Sequence, residues 1–123
     1  MIPEKLMDVL KHEGAVAIAS QGDQGPHLIN SWNSYVKITD SEELLIPAGG
    51  MKETEENVDK NNEVKITVAS HEVEGFRGMG TGFLICGKAE FATSGAEFDS
   101  MKESFPWMRA VLKVKISSVS QKL

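Results

Sequence analysis

The sequence predicts a predominantly β domain, a small antiparallel barrel of about six short strands with two or three short helices. Two observations carry that expectation. Apolar and polar residues alternate cleanly at Val64, Ile66 and Val68 and again at Leu112, Val114 and Ile116, the period of half-buried strands. Turn-forming clusters punctuate the chain at Gln21 to Pro26, Gly49-Gly50 and Gly75 to Gly82. At 123 residues, a single domain over 1–123 is expected, burying roughly two thirds of its unfolded surface.

The elements follow in order. Residues 3–13 read as a short amphipathic helix: Ile2, Leu6, Val9 and Leu10 share a face, Pro3 suits the first turn and Gly14 the position after the end. Ala15 to Ser20 has the length of a buried strand, and after the Gln21–Pro26 turn a second strand runs through Leu28 towards Trp32. Tyr35, Lys37 and Thr39 alternate with Val36 and Ile38, so a strand resumes before Asp40-Ser41. Leu44 to Pro47 is another strand, ended by Gly49-Gly50, and residues 54–61 read as one or two helical turns stopped by Asn61-Asn62. The strand around Val64–Val68 then leads to Gly75–Gly82, read as a flexible loop, and Phe83 to Phe91 is strand again. Ser94-Gly95-Ala96-Glu97 fits a capping box opening a helix with Phe98, Met101 and Phe105 on one face. Pro106 ends that helix before Trp107, and Leu112–Ile116 forms the last strand.

The net charge of −5 argues against nucleic acid, because no basic face is available to displace counterions. Cys86 is the only cysteine, which excludes an internal disulfide and a cysteine-based zinc or iron–sulfur site within one chain. No apolar run approaches 18 residues and no charged-then-apolar leader is present, so a soluble cytoplasmic protein away from membranes is expected.

Asn30-Ser31-Trp32-Asn33-Ser34-Tyr35 places two aromatic rings among small polar donors, and Trp107 supplies a third ring in a loop. Large rings are often core or interface anchors; the flanking Ser31 and Asn33 favour a ligand surface instead. Gly49-Gly50-Met51-Lys52-Glu53-Thr54 allows close backbone approach and offers a cation, a hydroxyl and a helix N-terminus, the requirements of a phosphate. A tight turn followed by acidic residues that complement the helix end explains the same spacing. Gly75-Phe76-Arg77-Gly78-Met79-Gly80-Thr81-Gly82 lacks a dinucleotide fingerprint, and a solvated hairpin loop is the preferred reading over amides presented to a ring edge with Arg77 nearby. His12, His27 and His71 are widely spaced and no serine elbow is present, so no catalytic and no metal-ligating residue is assigned. Cys86 reads as a small buried hydrophobe within Phe83-Leu84-Ile85-Cys86. The rings and the cradle together suit a phosphorylated aromatic cofactor, a flavin.

On these residues the chain resembles the small FMN-binding proteins of the pyridoxamine-phosphate-oxidase-like split-barrel superfamily. The resemblance is carried by Glu13-Gly14 through Ala19, Gly25-Pro26-His27-Leu28, Asn30 with Trp32-Asn33-Ser34-Tyr35, Gly49-Gly50-Met51, Thr54-Glu55 with Asn57-Val58, and Gly80-Thr81-Gly82-Phe83-Leu84-Ile85. Trp107 and Leu123 extend it to the last residue. It implies a six-stranded antiparallel Greek-key split barrel, a homodimer with one non-covalent FMN per subunit near the interface, and a phosphate held by Ser31, Thr54 and a lysine after the double glycine. Asn30, Trp32, Tyr35, Gly49, Gly50, Thr81, Gly82 and Trp107 are the remaining implied cofactor contacts, and Leu123 would cross to cover the partner's flavin. The family pattern has His-Lys-Thr after Gly-Gly-Met. Here the run is Lys52-Glu53-Thr54, with the lysine one place early and a carboxylate where the phosphate lysine stands.

The implied function is an FMN flavoprotein that carries electrons for an unidentified redox partner protein, the flavin doing the chemistry. The alternative is a flavin reductase or pyridoxamine-phosphate-oxidase-like oxidoreductase acting on a small substrate. A storage or sensing module is a third class, and related split barrels also hold deazaflavin or haem.

Overall fold

The computed structural model describes all 123 residues. One antiparallel sheet runs through them, from β1 (Ala15–Gly22), β2 (Gly25–Trp32), β3 (Lys37–Ile38), β4 (Glu43–Ala48), β5 (Glu63–Gly75), β6 (Gly78–Ala92) and β7 (Ala110–Gln121). Its spatial order is β2-β1-β5-β6-β7-β4-β3. Helices α1 (Glu4–Leu10), α2 (Lys52–Lys60) and α3 (Ala96–Ser104) complete the fold. Because β2 and β3 are edges that do not pair with each other, the sheet is open, as in a split barrel.

The alternating residues behave as their period requires. Val64, Ile66 and Val68 from β5 meet Phe83 and Ile85 from β6, Leu112, Val114 and Ile116 from β7, and Val16 and Ile18 from β1 in one cluster of 17 buried residues. All the long strands feed this cluster, so the sheet wraps one core. Leu6 and Val9 of α1 plug it, and Ile2 and Leu10 pack at its margin. A second cluster of Leu45, Met101, Met108 and Val111, with Phe98 and Phe105 against it, seats α3 on the β4–β7 side.

Several expectations need correction. The strand count is seven rather than six, and of the strand expected over Tyr35–Thr39 only Lys37–Ile38 forms, as β3. Tyr35 is not in a strand: residues Asn33–Tyr35 form a 3-10 turn, closed by a bond from Val36 N–H to the Asn33 carbonyl. Gly75–Gly82 is not a flexible loop. Strand pairing continues to Gly75↔Gly78, leaving only Phe76-Arg77 at the tip, with a register shift between Ser70 and Glu74. Glycine punctuation suggests a loop, yet the backbone ladder needs no side chains.

The capping box does not form either. Gly95, at φ 107°, is the N-cap of α3 with no side-chain bond, and the Glu97 carboxylate goes instead to Lys113, at 2.8 Å. Helix α1 ends at Leu10, well before Gly14. Gly14 is there for clearance: a Cβ on it would lie 2.7 Å from the Ala69 carbonyl oxygen and 2.9 Å from Asn33 Nδ2. Cys86 is half-buried rather than part of the core.

Candidate functional site

The end of β2, the following turn, the β4–α2 loop and the α3–β7 loop meet around one hollow of about 370 Å³. It is lined by Asn30, Ser31, Trp32, Tyr35, Gly49, Gly50 and Trp107, and completed by Ile29, Pro47 and Met51. That size suits a small-molecule ligand. A larger hollow of about 520 Å³, beside Ala19, Lys65, Cys86 and Lys88, contains no aromatic ring and offers no stacking surface.

The rings are held unequally. Tyr35 packs on Phe105 at 5.1 Å between centroids and on Trp107 at 5.5 Å, and Phe105 meets Trp107 at 5.8 Å, all tilted or edge-on. These separations lie in the favourable range for aromatic pairs. Trp32 has no aromatic partner, is 49% exposed and lines the hollow. Trp107 packs close over Gly49, its Cε3 lying 3.2 Å from where a Cβ would stand, so a side chain there would push the ring outward.

The turn that presents Trp32 and Tyr35 is anchored at both ends. Asn33, 0% exposed, donates from Nδ2 to the carbonyls of Ala69 (2.9 Å) and His12 (3.0 Å), with Val9 at 3.4 Å. Ser34 donates its hydroxyl (2.7 Å) and its N–H (3.1 Å) to the Glu13 carboxylate. Those two bonds, the hydroxyl first, hold the Glu13 carboxyl below its ordinary value. The folded value is the lower one. This contact therefore stabilises above the ordinary carboxylate range and is lost as pH falls through the lowered value.

Next to the rings, the backbone forms a donor array. Helix α2 begins at Lys52, two residues earlier than its expected start, with Met51 as N-cap in the left-handed region at φ 63° and ψ 30°. The first N–H of this segment to find a carbonyl is that of Glu55, which bonds Met51 at 2.9 Å. From Gly49 through Thr54 no backbone N–H has an acceptor in the protein. Thr54 sits in the first turn, 0% exposed, and its buried Oγ1 has no hydrogen-bond partner. A buried hydroxyl without a partner is costly, and beside free helix N–H groups it is a candidate member of an anion cradle.

The charges around the cradle are arranged in pairs. Glu53 faces the His27 ring, with Nε2 to carboxylate 3.6 Å, and Glu55 faces Arg109 at 3.0 Å. Lys52 is exposed and makes no ion pair, which leaves it available to an anion. Lys52 and Thr54 adjoin the hollow through Met51 without lining it.

Thr81, Gly82 and Leu123 lie apart from this hollow. Thr81 Oγ1 donates to the Leu123 carbonyl at 2.8 Å, Gln121 Nε2 donates to the same carbonyl (2.8 Å) and to Thr81 Oγ1 (3.1 Å), and Lys122 N–H bonds the Gly82 carbonyl at 2.8 Å. This network fixes Leu123 against the β6–β7 ladder while its side chain stays exposed.

The model of the pyridoxamine 5'-phosphate oxidase family matches residues 2–123. The chain belongs to this family. A family relative described as an FMN-binding protein, from Nitratidesulfovibrio vulgaris strain Miyazaki F, is 48% identical over 123 residues, the whole of both chains. Among solved structures, HupZ of Group A Streptococcus superposes with a TM-score of 0.81 at 17% identity, covering 98% of this chain and 94% of that one. An FMN-binding protein from Syntrophomonas wolfei gives 0.72 at 13% identity, covering 98% and 85%. At those identities the two structures support the fold alone.

Sequence reasoning missed Phe105, Met51, Asn33 and Arg109 as parts of the site. By its spacing Phe105 belongs to a helix face, and Met51 carries a signal only through its place in Gly-Gly-Met. Asn33 and Arg109 act through contacts distant in sequence, which no local pattern reveals. No group of three or more His, Cys, Asp or Glu side chains is placed to hold a metal ion. No helix is long and apolar enough to cross a membrane.

Proposed function

We propose that this protein binds FMN non-covalently and works as a cytoplasmic homodimeric electron carrier for a redox partner protein. The observation that carries the reading is the pairing of an aromatic hollow with free N–H groups from Gly49 through Thr54 and the unpartnered Thr54 hydroxyl. One end offers Trp32, Tyr35 and Trp107 to a planar ring; the other offers donors and the positive end of α2 to a phosphate. The name of the 48%-identical relative supports FMN as the ligand. When bound, FMN supplies the redox chemistry, and the chain's residues bind it, orient it and limit access of water. The polar side chains lining the hollow, Asn30, Ser31 and Tyr35, are all assigned to FMN in this reading, which favours the carrier over a flavin reductase or a pyridoxamine-phosphate-oxidase-like enzyme.

A homodimer is supported by the outer face of β2-β1-β5-β6. Leu28, Ala19, Ala17, Thr67, Leu84 and Ala69 stand there on the side opposite the core, each exposed or half-buried. The absorption spectrum of the purified protein tests the cofactor: flavin bands are expected, with one FMN per chain. A colourless protein that takes up no added FMN would remove the reading. Steady oxidation of NAD(P)H or pyridoxamine phosphate by the pure protein would favour the enzyme instead.

Two substitutions test the details. Lys52→Ala is expected to weaken FMN by about 1.5–3 kcal/mol and riboflavin much less, because a charge-assisted bond to phosphate is lost; equal losses would show that Lys52 does not serve the phosphate. Deleting Leu123 is expected to weaken the dimer and speed reoxidation of reduced flavin, since burial of one leucine contributes about 1.5–3 kcal/mol. A truncated protein that elutes as the full-length dimer and reoxidises at its rate would leave the residue without this role.

A further inference from the structure

We propose that Arg109 is a positioning residue that sets the orientation of the Gly50–Met51 peptide and thereby aims the cradle's donors. This rests on the FMN reading above and identifies a device within that site. The Arg109 guanidinium grips the Gly50 carbonyl with both Nε (3.1 Å) and Nη2 (2.6 Å), while Nη2 also meets Glu55 at 3.0 Å. Its own N–H bonds the Ala48 carbonyl at 2.8 Å, tying the start of β7 to the end of β4.

Every peptide bond in the chain is trans, so the Gly50 carbonyl and the Met51 N–H point in opposite directions from one rigid plane. Holding the carbonyl on the guanidinium therefore directs the Met51 N–H away from it, and that N–H has no acceptor in the protein. The same peptide leads into Met51 at φ 63°, a conformation that a long side chain adopts only when its surroundings impose it. Two donors on one carbonyl supply that constraint, and Glu55 keeps the fork in place from the first turn of α2. Trp107 closes the hollow two residues before Arg109, so one short segment both covers the ring end and sets the phosphate end.

Titration of the flavin-free protein with FMN and with riboflavin tests the assignment. Arg109→Lys keeps the positive charge and loses the fork. It is expected to weaken FMN about fivefold, somewhat less than the tenfold worth of one charge-assisted bond, while riboflavin changes less than about twofold. Arg109→Met should weaken FMN further. In the flavin-free protein, the Met51 amide resonance should shift in Arg109→Lys and respond less to added inorganic phosphate. Arg109→Lys with parental FMN affinity would overturn the proposal, because charge alone would then suffice. Equal losses for both flavins with a lowered melting temperature would also overturn it, marking a purely structural role. A parent protein that takes up neither flavin overturns the FMN reading and this assignment together, whereas an indifferent Arg109→Lys overturns only the latter.

Discussion

Replacing Asn33 with alanine is expected to lower the unfolding free energy by about 3 kcal/mol and the melting temperature by roughly 10 °C. Asn33 is fully buried, and its Nδ2 serves the Ala69 and His12 carbonyls, at 2.9 and 3.0 Å, with Val9 at the margin. Alanine removes the donor and leaves those carbonyls facing a gap that Gly14 is too small to fill. Asn33→Asp should cost more, since it would press an acceptor against acceptors, and part of that loss should return at a pH low enough to protonate the carboxylate. Urea unfolding reads both variants through the midpoint at unchanged slope. An alanine variant within about 0.5 kcal/mol of the parent would show the Asn33 bonds to be dispensable.

Asn33 also marks the limit of what the sequence reveals. Strand alternation in Val64–Val68 and Leu112–Ile116 is legible because burial on one face imposes a period of two along the chain itself. The aromatic and glycine motifs are legible because their residue types are unusual where they stand. The 3-10 turn at Asn33–Tyr35 is different: it is fixed by carbonyls of α1, its following loop and β5, as far as 36 residues away in sequence. A strand reading from local alternation cannot foresee that override. Arg109 is hidden for the same reason, since its partners Gly50 and Glu55 lie more than 50 residues earlier.

The glycine-rich hairpin was obscured by the opposite effect, a local signal that tertiary structure ignores. Gly78 and Gly80 have φ of 122° and 111°, conformations that glycine tolerates inside a paired strand. Twelve residues were expected to hold the cofactor. Those from β2, the β4–α2 segment and Trp107 do gather around one hollow or adjoin it, whereas Thr81, Gly82 and Leu123 gather elsewhere. A single chain can assemble the first group by itself. The second does not line that hollow, and its role in flavin binding stands or falls with the proposed dimer.

The rings lead to the second large expected effect, the loss of most FMN fluorescence on binding. Trp32 and Tyr35 are oxidisable aromatics at the wall of the hollow, and an electron-poor flavin seated there would be quenched by electron transfer from either. Their packing separates their contributions. Tyr35 is locked against Phe105 and Trp107, whereas Trp32 has no aromatic partner and is half exposed. Trp32 is therefore the ring expected to stack on the flavin, and stacking of a planar heterocycle on an aromatic side chain is worth about 1–3 kcal/mol. Trp32→Ala should weaken FMN by that amount, restore much of its emission, and cost little stability because the side chain is already half exposed. Trp107→Ala should reverse the balance: it breaks two aromatic contacts and the packing on Gly49, so stability falls more and emission recovers less. Titration, emission and thermal unfolding on the same two variants decide between the rings. If Trp32→Ala still binds FMN and remains as dark as the parent, Trp32 is not the nearest donor and the flavin lies on the Tyr35–Trp107 side.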